Sequence, residues 1–407
     1  MDSFIARQPI FTSKKRVFAY ELLFRDGLSN HMPEIDGEAA TTKLLTNTFF
    51  TIGIDKITAG KRAFINFTEK LLLGKIPLLF PKETTVIEVL EDVSPAPSVI
   101  RAIQSFSESG YLLALDDFVF RAELVPFIDA ADIIKIDFRL TPIEEIESYI
   151  DKGYLKNAKL LAEKVETMEE FKQALDMGFS YFQGYFFSRP EIIRGRDISS
   201  SQLRLLEIIA IVNKPDFEFE AVEKLIENDL SLSYKLLRCM NSVFFKRMDQ
   251  ITSIRQAMIY LGQEEIRRFV SLIALSGVTP NKPNELLRSS CIRARFCERL
   301  ASVSACAEPA EELFTLGLFS TIDAILDQPM ARIMRQLPLS PKIKKALTDD
   351  QGELSKYLSL ARLYEQGDWL AVPKKAAEIC IAEENLPSIY METCEWANAI
   401  TSDEKKE

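Results

Sequence analysis

The chain has 407 residues, a formal net charge of −10, 47% hydrophobic and 27% charged residues. That length predicts two or three globular domains of ordinary soluble composition. The acidic balance with no long basic run argues against a general nucleic-acid surface, and no run of about eighteen apolar residues exists to span a bilayer.

The N-terminus, MDSFIARQPIF, lacks a basic segment followed by an apolar stretch, so no signal peptide is expected and the predicted location is cytoplasmic. Over the first 190 residues, short β-rich runs are read at 17–21, 63–67, 85–89, 112–116, 133–137, 160–165 and around Phe182. Helical patterns lie between them at 96–108, 142–151 and 168–177. Strands alternating with helices predict βαβ units, and this many in so short a stretch predicts a TIM-like (β/α) barrel. His31, in the polar segment LSNHMPEIDG, is the only histidine of the chain and reads as a solvated loop residue. A metal site built on several imidazoles is therefore excluded, and so is a histidine-based triad anywhere away from His31.

From about residue 198 helical periodicity takes over, giving an α/β plus all-α chain. Residues 194–201, RGRDISSS, read as a linker or first cap. Helices are predicted at 217–229, 231–240, 253–261, 264–276, 284–302, 310–326, 341–347 and 354–366. All six cysteines (Cys239, Cys291, Cys297, Cys306, Cys380 and Cys394) lie in this half without CxxC or zinc-ligand spacing. They read as reduced thiols, mostly buried and packing as small hydrophobes. The final SDEKKE reads as a charged, frayed tail.

Polar residues fall at the ends of the predicted strands. Glu21 closes VFAYE, Asn66 ends AFIN, Glu88 lies in TVIEVL, and Asp116 and Asp117 end YLLALDD. Lys135 and Asp137 lie in IIKID, Glu163 in LLAEKVE and Gln183 in YFQGY. One such acid alone reads as a solvated surface group. A set at consecutive strand ends converges on the mouth of a barrel, where buried charge requires a counter-ion. Oxygen ligands of this kind suit hard divalent cations such as Mg²⁺ or Mn²⁺.

These segments, in this order, resemble the EAL phosphodiesterase family. Residues Tyr20 to Arg25, YELLFR, resemble its EALLR segment with Leu22 in place of alanine, and Gln8-Pro9-Ile10 its opening QPI. Asn66 is similar to the asparagine of its N-x-S/T strand, Glu88 to its next metal acid, and Asp116-Asp117-Phe118 to its DDF turn. Ile134 to Asp137 resemble its K-I-D strand, Ala162 to Glu166 its AEGVE strand, and Phe182 to Tyr185 with Arg189-Pro190 its closing QGY segment. The resemblance implies hydrolysis of cyclic di-GMP to linear pGpG with two divalent ions, Mg²⁺ or Mn²⁺. It implies one ion on Glu21, Asn66, Glu88 and Asp116, and a second on Asp116 and Asp117. Lys135 would position the attacking water, and Glu163 would act as base or as a ligand of water and metal. Substrate contacts would come from Gln8, Arg25, Asp137, Glu166 and Gln183. The sequence departs from the family's pattern at three places. Val119 to Glu123 replace a glycine-rich loop, Lys164 replaces the glycine of AEGVE, and the segment after Arg25 lacks the P-x-x-F-I helix.

In the second half, AVEKLIENDLSLSYKLLRCMNS (221–242) and ITSIRQAMIYLG (251–262) resemble the HDOD module, a relative of the HD phosphohydrolases. LGLFSTI (316–322) sits where those enzymes carry their histidine–aspartate pair; Phe319 and Ser320 stand there instead, and Asp323 has no histidine partner. Asp229 and Asn241 read as capping or internal hydrogen-bonding groups. The two resemblances imply an EAL-type barrel over 1–195, an all-helical HDOD domain over 196–400 and a tail over 401–407. They imply a cyclic di-GMP phosphodiesterase regulated by a helical domain, in signalling of the motility or biofilm type. The alternative is an inactive cyclic di-GMP sensor or scaffold acting through the HDOD surface. The expected partners are cyclic di-GMP, an unidentified protein on the HDOD domain and a second copy of the chain, with no nucleic acid and no membrane insertion.

Overall fold

The computed structural model describes residues 5–24, 54–155, 157–188, 208, 212, 218–227, 253–278, 283–306, 308–337 and 339–401. The chain divides into two compact units, Met1–Phe187 with Leu363–Lys374 and Leu386–Met391, and Ser188–Arg362 with Lys375–Asn385 and Glu392–Glu407.

In the first unit eight strands close into a barrel in chain order. They are β1 (Ile5–Thr12), β2 (Val17–Phe24), β3 (Arg62–Phe67), β4 (Thr85–Val89), β5 (Leu112–Leu115), β6 (Ile133–Asp137), β7 (Lys159–Glu163) and β8 (Tyr181–Gln183). From β2 to β8 each strand is parallel to the next. β1 runs antiparallel to both β2 and β8 and closes the ring. The seven strands read from the sequence are all present, and β1 is the addition. Its sequence, IARQPIFT, conceals it, because Pro9 lacks an N–H and Arg7 and Gln8 interrupt the apolar alternation.

The helices outside the strands are α1 (Ile54–Thr58), α2 (Glu69–Leu73), α3 (Pro97–Glu108), α4 (Val125–Ala130), α5 (Ile143–Asp151) and α6 (Met168–Asp176). α3 buries Val99, Ile103 and Phe106, spaced three and four residues apart. α6 begins at a capping box, in which the Thr167 hydroxyl accepts from the Glu170 N–H while the Glu170 carboxylate accepts from the Thr167 N–H.

One buried residue from every strand forms a single apolar cluster: Ile10, Ala19, Phe64, Val86, Ala114, Ile133, Leu161 and Tyr181. Side chains alternate across a strand, so the residue two positions on shares the same face. On β2 to β8 and just past β5, the residues two positions after this layer are Glu21, Asn66, Glu88, Asp116, Lys135, Glu163 and Gln183. On the reversed β1 the equivalent residue is Gln8, two positions before Ile10. A filled apolar layer thus carries a polar layer at the C-terminal mouth.

The described residues of the second unit contain helices and no strand. In chain order the helices beyond the barrel are α7 (Phe219–Glu227), α8 (Ile254–Val278), α9 (Asn284–Val303), α10 (Ala310–Phe319), α11 (Ile322–Leu326), α12 (Met330–Gln336), α13 (Pro341–Asp349), α14 (Glu353–Gln366), α15 (Val372–Glu378) and α16 (Leu386–Thr401). α8 breaks at Gly262, whose φ of 73° is non-helical, between the two predicted helices. The segment read as one helix over 310–326 is two, parted at Ser320 and Thr321. α9 and α10 cross closely, since a Cβ on Gly317 would lie 2.4 Å from the Arg293 carbonyl oxygen. No described helix is long and apolar enough to cross a membrane.

The expectation of uniformly reduced thiols is corrected. Cys306 and Cys380, 74 residues apart, form a disulfide with their Cα atoms at 5.7 Å, and both are exposed. The fold brings together two turns that no local spacing relates. Cys291, Cys297 and Cys394 are reduced and buried, as expected. Cys239, the predicted helix at 231–240, the linker at 194–201 and residues 402–407 lie outside the described residues.

Candidate active site

Lys135 is the centre of the polar layer. Its side chain is 1% exposed, and its ammonium meets carboxylates from four other strands or their ends. Nζ donates to Asp116 Oδ1 at 2.7 Å and to Glu88 Oε1, and lies 2.8 Å from Glu163 Oε1 and 3.6 Å from Glu21 Oε2. Gln183 Nε2 donates to Glu21 Oε2 at 2.6 Å and to Gln8 Oε1 at 3.1 Å, tying the last strand to the first two. Asn66 Nδ2 donates to Glu21 Oε1 at 3.4 Å.

Four carboxylates around one ammonium leave an excess of negative charge if all ionise. At two of the carboxyls burial and this excess act in the same direction, burial being the larger. Burial pushes the Glu88 carboxyl well above its ordinary value; Lys135 opposes the shift and Glu21 and Asp116 add to it. Burial does the same to Glu163, again opposed by Lys135 and reinforced by Asp116 and Glu21. Burial would lower Lys135, but Asp116, Glu163, Glu21 and Glu88 outweigh it and hold the ammonium well above its usual value.

The donor set fits a hard divalent cation. Glu88 Oε2 and Gln183 Oε1 are buried without a hydrogen-bond partner among the described residues. Oxygens from Asp116, Asp117 and Glu163 lie within 4.8 Å of one another. Buried oxygens without donors are costly unless a cation satisfies them. Oxygen-only ligands in this number suit Mg²⁺, Mn²⁺ or Ca²⁺.

Two turns aim the remaining groups. After β5 the Phe118 N–H donates to the Lys135 carbonyl at 2.9 Å, and Asp117 adopts a φ of 38°, which places consecutive carboxylates at the mouth. After β8, Gly184 has a φ of 143°, and a Cβ there would fall 2.0 Å from the Val165 carbonyl oxygen. Only glycine fits this approach, which explains the QGY sequence physically.

A cavity of about 340 Å³ opens over the layer and is lined by Gln8, Glu21, Asp116, Asp117, Glu163, Glu166 and Gln183. Lys135, Glu88 and Asn66 lie beneath it, buried. Asp137 is 2% exposed; its Oδ1 accepts from the Arg139 and Leu140 N–H groups at 2.7 and 3.2 Å, and its Oδ2 accepts from Lys164. Two cations that the sequence reading does not assign to the site also line the cavity, Arg139 and Lys164. Arg139 pairs with Glu166. Its signal was its place two residues beyond Asp137, in the loop following a strand end. Arg25 lies outside the described residues, as do His31, Asp229 and Asn241.

In the helical unit no metal centre assembles among the described residues at 316–323. Arg293 Nη1 donates to Ser320 Oγ at 3.4 Å, the Ser290 and Thr321 hydroxyls bond to each other, and Asp323 Oδ1 accepts from the Ala324 N–H at 2.9 Å. The stretch is packed by hydroxyls and one guanidinium.

Comparison with known proteins matches the EAL domain to residues 4–190 and the HDOD domain to residues 201–335. The chain is 38% identical over 402 residues to the cyclic di-GMP phosphodiesterase CdgJ of Vibrio cholerae serotype O1, covering 98% of this chain and 93% of that protein. It is 37% identical over 409 residues to the uncharacterized protein YuxH of Bacillus subtilis, covering 98% of each. Among solved structures, the Bacillus subtilis YkuI protein, with an EAL domain and in complex with c-di-GMP and calcium, aligns at 19% identity. Its TM-score is 0.37, over 61% of this chain and 70% of that one.

Proposed function

The chain belongs to the family of two-domain proteins in which an EAL domain precedes an HDOD domain, and from that premise we propose that its barrel is a cyclic di-GMP phosphodiesterase releasing linear pGpG. The observation that carries the reading is the polar layer itself, with one side chain from each strand or its end and four carboxylates around Lys135. Glu21, Asn66, Glu88 and Asp116 would hold one divalent ion, Mg²⁺ or Mn²⁺, and Asp116 and Asp117 a second. Bound there, such ions supply charge neutralisation at the phosphodiester and acidify the attacking water.

The chain's own residues do the rest. Gln183 holds the Glu21 carboxylate in place through its amide N–H. Lys135 offsets the buried negative charge and orients the water toward phosphorus. Glu163, whose proton affinity burial raises, takes the proton of that water as the new oxygen–phosphorus bond forms and the ester bond to the leaving oxygen breaks. Gln8, Arg25, Asp137, Glu166 and Gln183 contact the nucleotide in this reading, with Asp137 also fixing the turn that carries Arg139. The barrel domain extends over 1–195 and the helical domain over 196–400, with a short tail. The helical domain binds a protein partner and modulates the barrel, in a cytoplasmic pathway of the motility or biofilm type. Homodimerisation belongs to this reading; nucleic-acid binding and membrane insertion do not.

The test is purified full-length protein with Mg²⁺ or Mn²⁺ and cyclic di-GMP, followed by product analysis, with Glu21→Ala as control. Linear pGpG from the wild type alone supports the enzyme. The second reading, a ligand sensor without turnover, is favoured by the residues Val119 to Glu123 in place of the family's glycine-rich loop. Measurable ligand binding without product would select it.

A further inference from the structure

Lys164 occupies a backbone conformation that suits glycine, with a φ of 54°. Glycine would adopt it without strain, so a side chain there has to return something. What it returns is an ion pair with two acids. Nζ bonds to Asp137 Oδ2 and lies 3.9 Å from Asp117 Oδ1. Asp137 is 3% exposed at its side chain and already accepts two backbone N–H groups at its other oxygen, so it gives the half-exposed Lys164 ammonium a fixed partner. Asp117 has no such anchor, since its Oδ1 is buried and accepts no hydrogen bond. The ammonium is therefore held by Asp137 and faces Asp117 from the wall of the cavity. Asp117 is also one of the three acids, with Asp116 and Glu163, whose oxygens gather within 4.8 Å.

We propose that Lys164 is a built-in cation competing with a divalent ion at Asp117, which weakens ion binding at that acid. This rests on the metal-dependent phosphodiesterase reading and deepens it. A cation entering between Asp116, Asp117 and Glu163 meets a positive charge already facing one of its ligands, and like charges at this distance repel. The first set, Glu21, Asn66, Glu88 and Asp116, has Lys135 as its buried cation, whereas Lys164 bonds to Asp137 and faces Asp117. Lys164 is a positioning residue in this scheme, acting through Asp117.

The experiment is titration of the full-length protein with Mn²⁺ alone, without nucleotide, followed by calorimetry and by the electron paramagnetic resonance of free ion. Lys164→Met removes the charge and keeps bulk and backbone strain, Lys164→Arg keeps the charge, and Lys164→Gly removes both charge and strain. The expected result is that one Mn²⁺ step tightens by about fivefold in Lys164→Met and Lys164→Gly, while the other stays within about twofold. Lys164→Arg should behave as wild type. If Lys164→Met folds poorly by circular dichroism, Lys164→Gly decides. Equal Mn²⁺ affinities in the wild type and the charge-removed variants would overturn the role of Lys164 and leave the metal site standing. Failure of every protein to bind Mn²⁺ would overturn the metal-dependent reading and this proposal together.

Discussion

Lys135 and Glu163 face each other from adjacent strands, with Nζ 2.8 Å from Oε1 and both side chains buried. The same ammonium serves Glu88, Asp116 and Glu21, so removing it strands several carboxylates at once. Lys135→Met should lower the stability of the metal-free barrel by about 3 kcal/mol, the usual cost of breaking a buried pair from one side. Divalent ions should recover more of that loss in the variant than they add to the wild type, because they replace the missing positive charge. Thermal melts in chelator and in Mn²⁺ measure both quantities. A variant as stable as wild type in chelator would mean that the carboxylates are not ionised around the lysine.

The raised affinities of Glu88 and Glu163 for protons set a pH dependence. Both carboxyls titrate well above the ordinary glutamate value of 4.5 in the folded chain, chiefly through burial. A group whose folded pKa is raised contributes stability that is full below the unfolded value and is lost as pH rises toward the folded one. The metal-free barrel should therefore lose stability as pH climbs above 4.5, while bound divalent ions, which replace those protons, should stabilise it increasingly. The melting-temperature difference between Mn²⁺ and chelator should widen between about pH 5 and pH 8. A constant difference across that range would sink the expectation.

Gly184 and Gly178 separate a structural glycine at the site from an ordinary turn. A Cβ at Gly184 meets the Val165 carbonyl oxygen at 2.0 Å, whereas at Gly178 it meets nothing within 4 Å, although φ there is +93°. Gly178→Ala should cost about 1 kcal/mol from backbone strain alone. Gly184→Ala should cost more than about 2 kcal/mol, since backbone has to move. The movement displaces Gln183, which positions Glu21, so Gly184→Ala should also weaken Mn²⁺ binding while Gly178→Ala leaves it unchanged. Paired melts and Mn²⁺ titrations of the two variants test this, and equal behaviour would count against the packing argument.

The polar layer was readable because a strand's period of two links it to the apolar residues beneath. Alanine at 19 and glutamate at 21, or phenylalanine at 64 and asparagine at 66, carry both layers in one short run. β1 escaped because its proline and polar residues obscure that period, and its reversed direction places Gln8 before the apolar residue. The helix break at Gly262 was foreseen from the two separate apolar patterns. α16 adds a helix beyond those predicted, and its buried Leu386, Tyr390, Cys394 and Ala397 keep helical spacing. The pairing of Lys164 with Asp137 depends on two loops meeting, and sequence spacing carries no record of it.

The Cys306–Cys380 bond belongs to the same class of long-range fact, and it makes a prediction of its own. Closing a loop across 74 residues is worth about 4 kcal/mol in the chain-entropy account, so reductant should lower the melting temperature of the helical unit. The other three described cysteines are reduced and buried, and burial pushes Cys291 up to about 12 against the opposing Arg288 charge, which keeps it unreactive near neutral pH. Iodoacetamide with peptide mapping should therefore give two classes among these five cysteines. Cys306 and Cys380 should label only after reduction of the native protein, because they are exposed once the bond is broken. Cys291, Cys297 and Cys394 should label only in denaturant. Labelling of Cys306 in unreduced native protein would show the bond absent under those conditions, and the loss of melting temperature on adding reductant should then vanish as well.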